Sequence, residues 1–438
     1  MADRARSDDP QVQAQLDRLA LLSPGRDILG LERISALLGR LGNPERSLPP
    51  VLHVAGTNGK GSTCAFLRAA LEAAGLTAHL YSSPHLVRFN ERIRLAGRLI
   101  GDGALAVLLA ETLDAAAGME LSFFEATTAA AFLAFARTPA DACILEVGLG
   151  GRLDATNVVP APIACGIAQL GHDHHAFLGD TLEGIAAEKA GIAKPGVPLL
   201  TQLYPAEIAA RVGEVAAAAG ARWLPRGLTW DAEVEGAFGY RDQWGVIDGP
   251  LPELSGAHQG LNAALAIAMI RHQRVLDVPE AALRASLKWA DWPARLQCLA
   301  PGPLRGLLPG GAELWLDGAH NPAASRAVAD HFRGEGRPFH LILGLLANKD
   351  AAGILHPFRG RSLTVHPVPV PDHDHHPPAA LAACAREAGM SALPAADVAD
   401  ALGWIARDAD RDKPPVVLVM GSLYLAGAVL AANDQAPN

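Results

Sequence analysis

The chain has 438 residues, half of them hydrophobic, and a formal net charge of −9. That length predicts two or three domains with room for large cores, and the acidic balance argues against a general nucleic-acid binder, which carries a basic footprint. No apolar run is long enough to span a bilayer, and the polar first residues lack a signal segment. The five cysteines, Cys64, Cys143, Cys165, Cys298 and Cys384, are scattered, odd in number and without a Cys-x-x-Cys pair. Reduced thiols in a cytoplasmic enzyme fit that pattern.

In chain order, residues 1–14 are polar and expected to fray. Residues 15–22 and 28–41 carry apolar positions at helical spacing, broken by Pro24-Gly25. An apolar strand, 51–55, runs into Gly56-Thr57-Asn58-Gly59-Lys60-Gly61-Ser62, and a helix is expected from Thr63 to about Ala74. Further strands are expected at 76–81, 142–147, 163–170 and 197–203. Helices are expected at 103–117, 125–136, 181–190 and 260–271. This alternation implies an α/β fold, a parallel sheet with helices on both faces. Residues 223–251 change character, with Trp223, Trp230, Phe238, Tyr240 and Trp244 among Gly and Asp, and read as a small antiparallel addition. Trp292-Pro293 reads as a hinge. Strands then recur at 313–317, 339–346, 363–368 and 415–420, a second and smaller α/β domain. The tail from Asn433 is expected to be disordered.

The stretch 56–62 concentrates the chemistry. Glycines let backbone N–H groups converge on an anion, and the following helix adds its N-terminal charge. Lys60 can reach outer phosphates, and Ser62 or Thr63 can face Mg²⁺. The usual phosphate-loop spacing is not met: two residues separate Gly56 from Gly59, and Gly61 intervenes before Ser62.

Other polar groups fall at the ends of predicted strands, where open parallel sheets bind ligands. Glu146 ends a buried strand, where a carboxylate needs a partner or a cation. Gly171-His172-Asp173-His174-His175 offers at most one metal ligand, since Mg²⁺–nucleotide sites draw mainly on oxygen. Lys189 could pair with Glu188 or Glu183. Asn262, with His258-Gln259, could read an adenine edge or pack. Asp317-Gly318-Ala319-His320-Asn321-Pro322 repeats the strand, polar turn and helix plan, and Arg295 is a candidate phosphate clamp. Two motifs are set aside. Asn348-Lys349-Asp350 lacks the spacer of a guanine reader, and the histidines from His366 to Pro378 read as a Pro-rich surface loop.

Taken in order, Gly56 to Ser62, Ser83-Pro84-His85-Leu86, Glu146 to Asn157, Asp173-His174, Glu188-Lys189-Ala190-Gly191 and Asp317 to Pro322 closely resemble the folylpolyglutamate synthase/dihydrofolate synthase family of the Mur ligase superfamily. The glycine after Lys60 favours this folate branch. The resemblance implies a P-loop-type ATP-binding domain, 1–295, and a Rossmann-like glutamate-ligase domain, 296–438. It implies ATP-dependent addition of L-glutamate to dihydropteroate or to the glutamate tail of tetrahydrofolate through an acyl phosphate. By the same resemblance, Thr57, Asn58, Gly59, Lys60, Gly61, Ser62, Asn262, Arg295 and Asp317 contact ATP. Ser83, Glu146 and His174 hold Mg²⁺, one ion or two. Lys60, Lys189 and His320 serve catalysis, Lys189 as a carbamate. Asp27, Ser122, Arg152, Leu153 and Asp154 border the pterin, Asp27 alternatively capping the helix from about Ile28. A cytoplasmic monomer with small-molecule substrates, no nucleic acid and no membrane is expected. His172, Ala294 and Asn348 depart from the family pattern. The alternatives are a muramyl-peptide ligase, disfavoured because only about fifty residues precede the loop, and a nucleotide-binding switch.

Overall fold

The computed structural model describes residues 5–22, 29–172, 177, 179 and 181–437. The first sheet contains β1 (Val51–Ala55), β2 (Ala78–Tyr81), β3 (Ile93–Leu95), β4 (Arg98–Leu99), β5 (Ala142–Glu146), β6 (Ala164–Ile167), β7 (Pro198–Thr201) and β8 (Arg222–Pro225). In space they run β4-β3-β2-β5-β1-β6-β7-β8. From β2 to β8 every pairing is parallel, and the short β3–β4 ribbon joins the edge antiparallel. Neighbouring residues of a strand point to opposite faces. Accordingly Leu52 and Val54 join one core with the helices Lys60–Ala73 and Ala257–His272. Val51, Cys143 and Leu145 join the opposite core, with Phe123–Arg137 and Asp102–Ala115. The expected double-faced parallel sheet is observed.

The antiparallel addition consists of β9 (Trp230–Glu235), β10 (Ala237–Asp242) and β11 (Gly245–Gly249). Asp242 fastens it to the helix Ala257–His272 by accepting two hydrogen bonds from Arg271, at 2.6 and 2.7 Å. The last sheet contains β12 (Gln297–Cys298), β13 (Glu313–Leu316), β14 (Phe339–Leu343), β15 (Leu363–Pro367), β16 (Ser391–Ala392) and β17 (Val416–Met420). Its order is β12-β13-β17-β14-β15-β16, parallel except for β12.

Several sequence expectations need correction. The first helix starts at Pro10, not residue 15, because the Asp9 carboxylate accepts from the N–H groups of Gln11 and Val12, an N-cap followed by proline at the first position. The second starts at Glu32 rather than about residue 28, with Leu31 at the cap position. The helix Ala206–Ala218 and the strand β8 that follows it were not anticipated. The C-terminal segment is anchored, not frayed. Asn433 is fully buried, accepting from Arg305 N–H and donating to Ala300 O. The 366–378 stretch is not all surface either: His366 is buried in β15 at 3.1 Å from His340.

Candidate active site

Register decides what meets. Val54 pairs with Glu146, Ala55 with Ile167 and Tyr81 with Leu145. The carboxyl ends of β1, β2, β5 and β6 therefore lie at one edge, and the segments after them converge there. In the last sheet Leu316 pairs with Val419, and Leu343 with Met420. The two edges face each other across a cavity of about 440 Å³, lined among others by Lys60, Ser83, Glu146, Asn262, Arg295, Asp317 and His320.

The helix after β1 begins at Lys60, three residues earlier than expected, with Gly59 as its cap at φ +85°. The early start gives the loop the unpaired N–H groups of a first helical turn. Gly59 is required twice, since a Cβ there would also lie 2.3 Å from Asn262 Oδ1. Gly61 has a different reason: a Cβ would meet the indole of Trp292, with Nε1 at 2.6 Å. The glycine after the lysine thus makes room for the hinge tryptophan. Thr57 Oγ1 donates to Gly171 O at 2.9 Å, and Ser62 is buried at the cavity wall.

Lys60 Nζ donates to Gly56 O at 3.1 Å, and Lys189 Nζ donates to the same oxygen at 3.0 Å. Lys189 is buried. Of the two glutamates near it in sequence, Glu188 is taken by Arg152 at 2.7 Å. Glu146 is buried with one long hydrogen bond, from Ser83 N–H at 3.4 Å. Burial pushes its carboxyl above the ordinary range against the pull of Lys60 and Arg295. Asp317 is also pushed up by burial, but both its oxygens are used, accepting from Leu296 and Ala319 N–H at 2.7 Å each. Arg295 Nη1 donates to Ala294 O. Ala294 sits at φ +56°, the left-handed region that glycine favours. His320 Nδ1 lies 2.8 Å from Gly318 O, which orients the ring. Asn58 and Asn321 exchange amide contacts at 2.9 and 3.4 Å, linking the two polar turns.

At the far end of the cavity, Ser122 and Glu125 form a reciprocal cap on the helix Phe123–Arg137. Leu153 and Asp154 line the wall. Asp154 accepts from Leu149 and Thr156 N–H, so it organises its own turn. Arg152, expected at the pterin, is turned to the surface by Glu188. Asp27 and His174 lie outside the described residues, and His172 is exposed. Among the described residues no three His, Cys, Asp or Glu cluster as a metal cage. An under-compensated buried Glu146 beside Ser83 does fit a hard cation completed by water and phosphate oxygens.

Sequence reasoning missed Arg92. It is buried, lines the cavity, donates Nε to His85 Nδ1 at 2.9 Å, and its guanidinium lies 5.4 Å from the ring centres of Phe89 and Phe123. The signal was a cation set between Phe89 and Ile93. Asn348 and Lys349, set aside earlier, also line the cavity, as do Ser422 and Tyr424.

With this geometry in hand, similarity to known proteins is decisive. A family model described as Mur ligase, glutamate ligase domain, matches residues 305–423. The chain is 35% identical over 416 residues to the folylpolyglutamate synthase of Lacticaseibacillus casei, covering 91% of this chain and 92% of that one. The chain belongs to the folylpolyglutamate synthase/dihydrofolate synthase family. Within this family its fold matches E. coli FolC in complex with DHPP and ADP, with a TM-score of 0.87, 32% identity and 98% of both chains covered. It also matches the bifunctional folylpolyglutamate synthase/dihydrofolate synthase of Yersinia pestis complexed with AMPPNP and Mn ion, with a TM-score of 0.84, 32% identity and 98% and 99% coverage. Membership sets aside the muramyl-peptide alternative. No helix among the described residues is long and apolar enough to cross a membrane, and all five cysteines are free.

Proposed function

We propose that this folate-family ligase uses ATP to join L-glutamate to dihydropteroate, to the glutamyl end of a reduced folate, or to both. The carrying observation is the convergence of both sheet edges on one cavity holding Lys60, Glu146, Arg295 and His320. The acceptor carboxylate attacks the γ-phosphorus, the bond to the β-phosphate oxygen breaks, and ADP leaves. The glutamate amine then attacks the acyl carbon, loses a proton, and phosphate departs. Such transfer needs positioning and charge neutralisation more than covalent help.

Lys60 and the amides of 57–62 hold the phosphates, and Arg295 and Asn262 reach the nucleotide from the hinge side. Asp317 keeps Arg295 in place by tying Leu296 and Ala319 together. Ser83 and Glu146, with His174 by family resemblance, would hold Mg²⁺. When bound, the cation neutralises charge between the acceptor carboxylate and the γ-phosphate. His320 stands at the reacting end, and Ser122, Leu153 and Asp154 border the pterin end. The division into 1–295 and 296–438 belongs to the same reading, supported by separate cores on either side of the hinge, as does a cytoplasmic monomer.

Carbamylation of Lys189 is supported by one contact. Two ammonium groups on Gly56 O repel each other, and CO₂ on Lys189 would reverse its sign. Labelled bicarbonate giving a carbamate carbon signal that is absent in Lys189→Ala tests this. The function itself is tested by ADP release with Mg²⁺, ATP and L-glutamate, comparing dihydropteroate with tetrahydrofolate. Release with neither acceptor sinks the ligase reading.

A further inference from the structure

His53 stands in the middle of β1, among apolar neighbours, and is fully buried. Its Nε2 lies 2.8 Å from Thr156 Oγ1, which in turn donates to Asp154 Oδ1 at 2.6 Å. A hydroxyl has one proton to give. Thr156 spends it on Asp154, so it accepts from His53, whose ring therefore carries its proton on Nε2. That leaves Nδ1 as a bare acceptor, and Nδ1 has no partner among the described residues. Burial and the nearby Lys194 charge bring the imidazole pKa down to about 3, so the ring is neutral near pH 7. A buried imidazole with one nitrogen unpaired is costlier than an apolar side chain in its place, and a costly group inside a strand calls for a use.

That use lies at the other end of the hydrogen-bond chain. Asp154 caps the single turn Ala155–Val158. Its Oδ1 accepts from Thr156 N–H at 3.0 Å and its Oδ2 from Leu149 N–H at 2.8 Å, so one carboxylate ties residue 149 to residue 156. Leu149, Leu153 and Asp154 all line the main cavity, whereas His53 and Thr156 do not. Asn157 fastens the foot of the same turn separately, donating to Arg152 O at 3.0 Å and Gly191 O at 3.1 Å. With the foot fixed, the rotation of the Asp154 carboxylate is what remains to be set. The Thr156 hydroxyl, itself aimed by His53, sets it.

We propose that His53 and Thr156 are positioning residues for the acceptor: their relay from β1 fixes Asp154, and through it the wall of Leu149 and Leu153 that borders the pterin end. This rests on the ligase reading and on the place given there to Leu153 and Asp154. The strand that leads into the phosphate loop thereby also shapes the far end of the cavity, without either residue touching a substrate.

Steady-state ADP release, with acceptor, ATP and L-glutamate varied in turn, tests the proposal on Thr156→Val, Thr156→Ser, His53→Leu and the double variant His53→Leu/Thr156→Val. Melting curves select the folded variants, and should His53→Leu not fold, the Thr156 pair decides alone. The expected result is a rise of about tenfold in KM for the acceptor in Thr156→Val and about threefold in His53→Leu, with KM for ATP and glutamate within about twofold and kcat within about threefold. Thr156→Ser, which keeps the hydroxyl, should stay within about twofold of wild type. The double variant should be no worse than Thr156→Val, because both changes break one relay. An unchanged acceptor KM in folded Thr156→Val overturns the proposal. So does a parallel rise in all three KM values, which would mean general loosening, and so do single effects that multiply in the double variant. Failure of the wild type to release ADP would instead sink the ligase reading, so the two failures are distinct.

Discussion

β1 and β13 end alike: a parallel strand, a polar turn, then a helix, both facing one cavity. The turn after β1 ties down Thr57 and Asn58 but leaves its lysine at the cavity wall. Lys60 and the first-turn amides point at the cavity, held by little beyond Gly56 O. The turn after β13 spends its polar groups on itself. Asp317 binds two backbone amides, Asn321 caps its helix at Ala324 N–H, and His320 is oriented by Gly318 O. A shared local plan therefore does not imply a shared role: on the proposed reading the first turn binds and the second holds the hinge against it.

The largest expected effect comes from removing what the first turn offers. Lys60→Ala should lower kcat/KM by about a thousandfold or more, since a preorganised charge on a transferring phosphoryl group is worth several kcal/mol. The melting temperature should stay near wild type. A drop under tenfold would mean that Lys60 does not touch the phosphates.

Gly61→Ala comes next. Its Cβ would meet Trp292, and overpacking of this kind costs about 1–3 kcal/mol. An expected tenfold to hundredfold loss in kcat/KM for ATP should be largely restored by Trp292→Leu in the same chain. A double variant no better than Gly61→Ala would break the link between loop and hinge.

Two buried carboxylates sharpen the contrast between binding and holding. Asp317→Asn leaves one backbone N–H without its acceptor and should destabilise by about 2 kcal/mol. Glu146→Gln removes a charge with only one long hydrogen bond, so the ligand-free protein should be unchanged or more stable by about 1 kcal/mol. It should lose its thermal stabilisation by Mg²⁺–ATP. Equal destabilisation by both, read from urea midpoints, would erase the distinction.

The same carboxylate gives a pH signature. Burial raises the folded-state pKa of Glu146 above its unfolded value. Between those two values the unfolded chain has lost the proton that the folded one keeps. Ligand-free stability therefore falls as pH rises through that window. A divalent cation needs the deprotonated form, so its stabilisation should grow with pH over the same interval. Melting temperatures with and without Mg²⁺ at successive pH values check this, and a constant gap would count against Glu146 as a ligand.

Much of this was legible in the sequence because parallel strands buried on both faces leave apolar runs, and their ends leave Gly, Lys, Glu and Asp in plain view. Lys60, Glu146 and Asp317 stand where strand-end reasoning put them. What was hidden depended on contacts distant in sequence. Nothing near Arg152 announced that Glu188 would turn it outward, and nothing near Gly61 announced Trp292. Asn433 read as tail because its partners, Ala300 and Arg305, precede it by over a hundred residues. The start of the Lys60 helix was misplaced because glycine at Gly59 and Gly61 argues against helix locally, while the cap geometry overrides that preference.

The smallest effect concerns Ser122, where binding and holding compete within one residue. Its Oγ accepts from Glu125 N–H at 3.1 Å, and Glu125 accepts in return from Ser122 N–H at 2.7 Å. A hydroxyl that accepts can still donate, and Ser122 lines the cavity, so the cap does not forbid a contact with the acceptor. The energies separate the two. Loss of an N-cap costs about 1 kcal/mol of stability wherever the ligand binds, whereas loss of a hydrogen bond to substrate shows in KM without moving the unfolding midpoint. Since the reciprocal cap with Glu125 is complete, Ser122→Ala should lose about 1 kcal/mol in urea and shift KM for the acceptor less than threefold. Thr at this position, which can still cap, should recover most of the stability. A tenfold rise in acceptor KM at unchanged stability would move Ser122 from the group that holds to the group that binds.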